Sequence, residues 1–430
     1  MKNKIEIIIL VFLFISFVGC TSKKAKQSES NIKDAGTITV SSEISTGSLK
    51  WGSIGWLYGF ADNTQPPDSM ISGLGHPQYT YQKAPFGKQH KGGDALIIAD
   101  KAKRLGMKGV GIYMQDFYKQ WPYPVNSIES YMDSVVDKVV DYVVADKNRA
   151  FMLYVPFNEP DWIWYDNTPA KINQFCQDWE KVYHRIKSRD PDAKLVGPNT
   201  MKYNKDFIHT FFTYCKEHKV MPDIASWHAL ENDFFTDWYD QYADFRRIDS
   251  TIPVHINEYG LKSVNGKCDI QVPGRMIQFI SRFENSKVFA NKAYWTPEGT
   301  LNDLCTIDGK PTGCWYLYQW YGQMNGNTVQ VTLPNLNGPL QAIASKNNNS
   351  VKVIFGGSEK ETDVYNVSFD LTGLTGEKAS YKVMETTYTG QSAASSPTVK
   401  MEGTMTIKNG AFSINITNCD ALSAYNLSIN

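Results

Sequence analysis

Two glutamates in this chain stand in the same local setting. Glu159 lies in "FMLYVPFNEPDWIWY", residues 151–165, and Glu258 lies in "PVHINEYG", residues 253–260. Each follows an asparagine, and each comes at the end of an apolar, strand-like run. A single carboxylate past a strand is a weak signal, because many such groups cap helices or pair with cations. Two in the form Asn-Glu, 99 residues apart, are a stronger one. Two carboxyls held about 5 Å apart can divide a displacement at an acetal carbon between them: one attacks, the other gives and later takes a proton. Aromatic residues crowd the first site, with Trp162, Trp164 and Tyr165 directly after Glu159. Aromatic faces suit the apolar C–H faces of sugar rings, although a large core would account for the 13% aromatic content equally well.

Such a pair needs a scaffold that brings distant strand ends together. From about residue 50 to 322, short apolar strands alternate with amphipathic helices. Strands are expected at 56–60, 109–115, 151–157, 194–199, 223–229, 253–259 and 292–298, with an eighth at 77–83. Helices are expected at 95–106, 130–146, 169–190, 203–218 and 274–286. In the second of these, Val135, Val136, Val139, Val140 and Val143 recur at helical spacing. The alternation predicts a (β/α)8 TIM barrel, whose C-terminal strand ends share one face. A doubly wound sheet is the runner-up, but no glycine-rich phosphate loop follows the first strand. Counting 77–83 as the second strand puts Glu159 on the fourth and Glu258 on the seventh.

The other strand ends supply further candidates. Tyr113, Gln115 and Asp116 end the third strand, with Trp121 and Tyr123 beyond; His228 ends the sixth; Trp295 and Glu298 end the eighth. Asn158, Trp121, Trp162 and Trp164 complete the set expected to touch a substrate. Taking that segment as extended, Trp162 and Trp164 are not both expected in a single core, so at least one is expected at the cleft. Gln82, Lys83 and His90 are polar candidates whose plainer reading is a solvated loop.

After Gly326 the texture changes to alternating apolar and polar residues with Gly/Asn turns, predicting a C-terminal antiparallel β-sandwich over 325–430. The barrel is assigned 36–324, with 36–48 available as a further sandwich strand. At the N-terminus, Lys2 and Lys4 precede "IEIIILVFLFISFVG", the pattern of an export signal over 1–19. Residues 20–35 read as a polar tether. Gly19-Cys20 resembles the end of a bacterial lipobox, although Phe17 stands where leucine is usual. That resemblance implies lipidation of Cys20 and an exported lipoprotein, membrane-anchored in the periplasm or at the cell surface. Of the six remaining cysteines, Cys305 and Cys314 flank a Gly/Pro loop and are the one pair weighed for a disulfide.

The two glutamate motifs also resemble a known group. "FNEPDWIWY" is similar to the Asn-Glu-Pro acid/base motif on the fourth strand of clan A glycoside hydrolases, and "HINEYG" to their nucleophile strand, the seventh. Barrel plus sandwich looks most like glycoside hydrolase family 39. The resemblance implies that Glu159 is the acid/base, Glu258 the nucleophile, and Asn158 a partner of the sugar 2-hydroxyl. It implies a retaining hydrolase of plant or microbial glycans. The stretch 76–94 departs from the xylosidase and iduronidase pattern, which leaves the sugar open.

The partners expected are a carbohydrate substrate and, through the lipid, a membrane. Lys+Arg and Asp+Glu are equal at 44 each, so no bulk field favours nucleic acid. No metal-ligand spacing occurs, and no metal or cofactor is expected. The competing reading is a non-catalytic glycan-binding lipoprotein on the same fold, which would have no need of a paired acid and nucleophile.

Overall fold

The computed structural model describes residues 32–124, 126–260, 269–293 and 297–430. The expected export signal, the expected lipidation site Cys20, most of the expected tether, Cys268 and Trp295 lie outside them. The described chain enters through a long strand, β1 (Lys33–Ser48), which belongs to the C-terminal sheet. It then builds the barrel from β2 (Trp56–Leu57), β3 (Tyr79–Lys83), β4 (Gly109–Tyr113), β5 (Met152–Val155), β6 (Val196–Thr200), β7 (Ile224–Ala229), β8 (Val254–Tyr259) and β9 (Phe289–Lys292).

These eight strands are parallel in the order β5-β4-β3-β2-β9-β8-β7-β6. The ring closes where Tyr154 pairs with Leu195 and the Tyr154 N–H donates to the Lys194 carbonyl at 2.8 Å. Almost every strand residue is buried, as expected of parallel strands covered on both faces. Helices cover the outside, and their starts are legible in the sequence. Asp94 accepts the N–H groups of Leu96 and Ile97, and Asn204 accepts that of Phe207. The valine-rich segment is helical over 128–144, with one widened π-type turn at Met132–Val136.

Three elements differ from expectation. The eighth strand is Phe289–Lys292, not 292–298. Both stretches mix apolar and polar residues, and the choice is made by pairing: Ala290 aligns with Ile256, and Lys292 with both Tyr259 and Trp56. Glu298 therefore sits in a turn six residues past the strand end. A helix at Asp233–Ile248 was not anticipated; its buried face is only Phe234, Trp238, Asp244 and Phe245, diluted by aspartates and aromatics. Gly313–Gly322 also escapes periodicity, because it is buried nearly all round.

The second sheet has nine strands: β1 with β10 (Asn327–Thr332), β11 (Gln341–Asn347), β12 (Ser350–Gly356), β13 (Val364–Thr372), β14 (Lys378–Thr386), β15 (Thr398–Thr406), β16 (Phe412–Asp420) and β17 (Ala424–Ile429). It is antiparallel except where β1 runs parallel to β13, so it is mixed rather than wholly antiparallel. Alternate side chains such as Val351, Val353, Phe355, Phe369 and Leu427 form a sandwich-like core. Fully burying a side chain of this kind contributes roughly 1.5–3 kcal/mol. The sheet lies directly on the barrel. The Gly274 N–H donates to the Leu422 carbonyl at 3.0 Å, and a Cβ at Gly274 would meet the Ala421 carbonyl oxygen at 2.1 Å. Cys305 remains a buried thiol, pushed up to about 12 by burial, so the weighed Cys305–Cys314 disulfide does not form. Backbone pairing of Cys305 with Pro311 closes that loop instead.

Candidate active site

The C-terminal ends of the barrel strands surround a cleft of about 480 Å³. Its floor carries Asn158, Glu159 and Glu258; Trp121, Tyr123 and Trp162 form one wall, and Leu57, Tyr58, Gln89, His90, Met201, Leu230 and Glu231 the rest. Glu159 follows β5, and Glu258 is the penultimate residue of β8. They lie on the fourth and seventh barrel strands, as the strand count anticipates.

Glu159 takes a left-handed conformation, φ 48°, where the chain turns from strand into the single-turn helix Pro160–Ile163. A non-glycine residue there is strained and needs neighbours to hold it. The Glu159 N–H donates to the Asn199 carbonyl at 2.9 Å, and Pro160 pre-sets the helix start. Asn199 is itself left-handed, φ 65°, and its side chain ties three strands together. Its Nδ2 donates to Asn158 Oδ1 at 2.9 Å, and its Oδ1 accepts from Ser226 Oγ at 2.8 Å and Asn257 Nδ2 at 2.7 Å. The Asn158 N–H donates to Gln115 Oε1 at 2.7 Å.

His228, fully enclosed at the end of β7, stands between the two carboxyls. Its Nδ1 is 3.0 Å from Glu159 Oε1, and its Nε2 is 3.8 Å from Glu258 Oε1. One oxygen from each carboxyl and the imidazole all lie within 4.8 Å of one another. Tyr113 Oη donates to Glu258 Oε1 at 3.2 Å and is 3.4 Å from His228 Nε2. Burial opposes charge on the imidazole, but Glu258 and Glu159 outweigh it, and the net shift of His228 is upward. Burial pushes the Glu258 carboxyl up to about 7; His228 opposes that rise and Glu159 adds to it. The same three groups could ligate a cation, but the contacts of the imidazole with both carboxyls compete with that use.

The remaining candidates fall into two groups. Trp121 and Trp162 line the cleft about half exposed, edge to face at 6.0 Å. The Trp162 indole N–H donates to Glu159 Oε2 at 2.7 Å. The others stand behind the wall. Gln115 holds Asn158. Asp116, buried and pushed up to about 7 by that burial, accepts from the hydroxyls of Tyr58 and Tyr123, both of which face the cleft. Glu298 accepts the Gly92 N–H at 2.6 Å, bracing the loop that carries Gln89 and His90. Trp164 is turned away, packed edge-on against Tyr131 at 4.9 Å and Phe157 at 6.0 Å. The extended geometry assumed for Trp162 and Trp164 is corrected: Trp162 is helical, and Trp164 ends that turn.

Tyr58, Met201, Leu230, Glu231 and Asp161 were not anticipated. Tyr58, Met201 and Leu230 are each the first residue past a barrel strand, a positional signal that could have found them. Asp161 accepts the Met201 N–H at 2.9 Å and is pushed up to about 6, chiefly by burial. Glu231 pairs with Lys202 at 2.8 Å on the rim.

No protein-family model matches the sequence. A Bifidobacterium pseudocatenulatum protein described as 3-O-beta-L-arabinopyranosyl-alpha-L-arabinofuranosidase is 28% identical over 99% of this chain and 50% of its own length. A Bifidobacterium longum subsp. longum protein described as 3-O-alpha-D-galactosyl-alpha-L-arabinofuranosidase is 28% identical over 91% of this chain and 40% of its own. The chain thus spans half or less of these curated relatives. Among solved structures, one from Neocallimastix frontalis is 25% identical, with a TM-score of 0.81, covering 92% of this chain and 99% of that one. A glycoside hydrolase family 39 enzyme from Xanthomonas axonopodis pv. citri aligns at 11% identity with a TM-score of 0.61, covering 94% and 99%.

Proposed function

We propose that this chain, which has the clan A glycoside hydrolase fold, is a retaining glycosidase acting on α-L-arabinofuranosyl groups of plant or microbial glycans. The observation that carries the reading is the approach of Glu159 and Glu258 across the barrel mouth, one oxygen of each within 4.8 Å of the other. That approach favours the short separation of a retaining pair, about 5 Å, over the roughly 6.5–9.5 Å by which an inverting pair makes room for a water between its base and the sugar. The sugar class rests on the names of the two arabinofuranosidase relatives, and a furanoside is compatible with the pair because retention depends on carboxyl separation.

In the first step a Glu258 oxygen bonds to the anomeric carbon as the bond to the leaving oxygen breaks, and that oxygen takes the proton of Glu159. In the second, Glu159 takes a proton from water, the water oxygen bonds to the anomeric carbon, and the ester to Glu258 breaks. Forming the ester removes the Glu258 charge, so Glu159 gives up its proton more readily and serves as base. Asn158, held by Gln115 and Asn199, is assigned to the 2-hydroxyl on the resemblance of its Asn-Glu-Pro motif. The rim aromatics Trp121 and Trp162 offer faces to the leaving sugar.

The test is a panel of nitrophenyl glycosides followed by proton NMR of the first product. Turnover of the α-L-arabinofuranoside with the substrate's anomeric configuration is expected. An inverted first product would remove Glu258 as nucleophile. We propose further that Cys20 carries lipid, so that the enzyme works tethered outside the cytoplasm; the support is the apolar run ending at Gly19-Cys20 and the polar residues after it.

A further inference from the structure

Both oxygens of Glu159 are engaged by protein partners. Oε1 faces the His228 imidazole at 3.0 Å, and Oε2 accepts the Trp162 indole N–H at 2.7 Å. The two partners differ in kind. His228 is fully enclosed and held by Tyr113, so Oε1 is committed to the interior. Trp162 is 45% exposed, sits on a single-turn helix and, among the described residues, meets the ring of Trp121 edge to face. Oε2 is therefore the oxygen left to serve the cleft, and the indole stands on it.

An indole N–H can donate but cannot accept. Its bond to Oε2 favours the ionised carboxylate, the form that acts as base in the second step, and works against the protonated form that the first step needs. The same ring is a rim surface on which a leaving sugar can stack. Resting on the acid/base assignment of Glu159 above, we propose that Trp162 is a positioning residue that switches this group. Before a glycoside arrives its N–H holds Oε2 as a base. A glycoside seated against the Trp121–Trp162 rim draws the indole off, and Oε2 then carries its proton to the leaving oxygen. When the leaving sugar departs, the indole returns and the ionised form is favoured again for attack by water. No bond to Trp162 is made or broken beyond this hydrogen bond.

Trp162→Phe keeps the aromatic face and deletes the N–H; Trp162→Ala deletes both. In Trp162→Phe the alkaline limb of kcat/KM should move up by about one pH unit, the worth of one hydrogen bond to a charged group at a half-exposed site, while KM stays close to wild type. Trp162→Ala should show the same limb shift with a raised KM. A residue that only packs would lower both rates without moving the limb. An activity-independent measurement separates this switch from the function assigned to the site. The indole N–H signal that disappears in the nitrogen-15 NMR spectrum of Trp162→Phe should be shifted in Glu159→Gln, because the charged acceptor is gone. A signal unmoved by Glu159→Gln, or an alkaline limb unmoved in Trp162→Phe, overturns the proposal. If the wild type turns over no glycoside yet the signal moves, the hydrogen bond stands, and the acid/base role, with the switch built on it, falls.

Discussion

Glu159 and Glu258 bring one carboxylate oxygen each within 4.8 Å across the barrel mouth, and the imidazole of His228 touches both. The pair comes from the fourth and seventh strands of the closed ring, with β6 and β7 between them, 99 residues apart in sequence. Three ionisable groups so close titrate as one unit, so altering one changes the proton held by the others.

Removal of either carboxyl should abolish most activity, with different rescue. In Glu258→Ala, azide should attack in place of the carboxylate and give a glycosyl azide of inverted configuration. In Glu159→Ala, glycosides with good leaving groups should still react at the first step, and azide should speed the second with overall retention. Product configuration by NMR distinguishes the two. Near-native rates for both variants on an oligosaccharide would end the assignment.

The acid limb of the activity profile should lie near neutrality. As the proposed nucleophile Glu258 has to be ionised to attack, and burial pushes its carboxyl up to about 7, so kcat/KM should climb as pH rises through that value. His228 opposes the upward shift. His228→Asn should therefore move the acid limb higher and, by loosening Glu159, cost about 10²-fold in kcat/KM. A limb that stays in place while activity falls would reduce His228 to a packing role.

The site should cost stability in a defined pH window. Below the ordinary carboxyl value of 4.5, Glu258 is protonated both folded and unfolded. Between 4.5 and about 7 the unfolded chain ionises while the folded protein keeps its proton, so stability falls as pH rises, and above about 7 the loss is complete. The loss is on the order of 3 kcal/mol. Glu258→Gln should unfold at a higher Tm than wild type at pH 8 and show little advantage at pH 4. Asp116, pushed up to about 7 by burial, adds a slope of the same sign that this variant retains. An equal Tm difference at both pH values would contradict the reading.

Anchoring is open to a direct check. On the proposed lipidation of Cys20, wild-type protein expressed from residue 1 should partition with membranes, and Cys20→Ala should acquire no lipid by mass spectrometry. Recovery of wild type wholly as unmodified soluble protein counts against the tether.

Local pattern carries a large part of this protein. Apolar runs alternating with amphipathic helices determine a barrel, because period and breakers are properties of short segments. The change to strict alternation after Gly326 determines the second sheet. The asparagine before each glutamate, and its place past an apolar run, mark Glu159 and Glu258 as strand-end groups on one face. What lies beyond is set by closure of the ring. Periodicity cannot choose between two adjacent stretches for the eighth strand; pairing with β8 and β2 does. Nor can it tell that Trp162 turns back onto Glu159 while Trp164 turns away, because that depends on a single helical turn started by a left-handed glutamate. Asp116 and Gln115 read as cleft residues in the sequence, yet one supports two tyrosines and the other an asparagine, since burial depth belongs to packing and not to position along a strand. His228 shows the division most plainly: the sequence places it at a strand end, but only the curvature of a closed barrel, which points side chains from β5, β7 and β8 at a common centre, puts its ring between the two carboxyls.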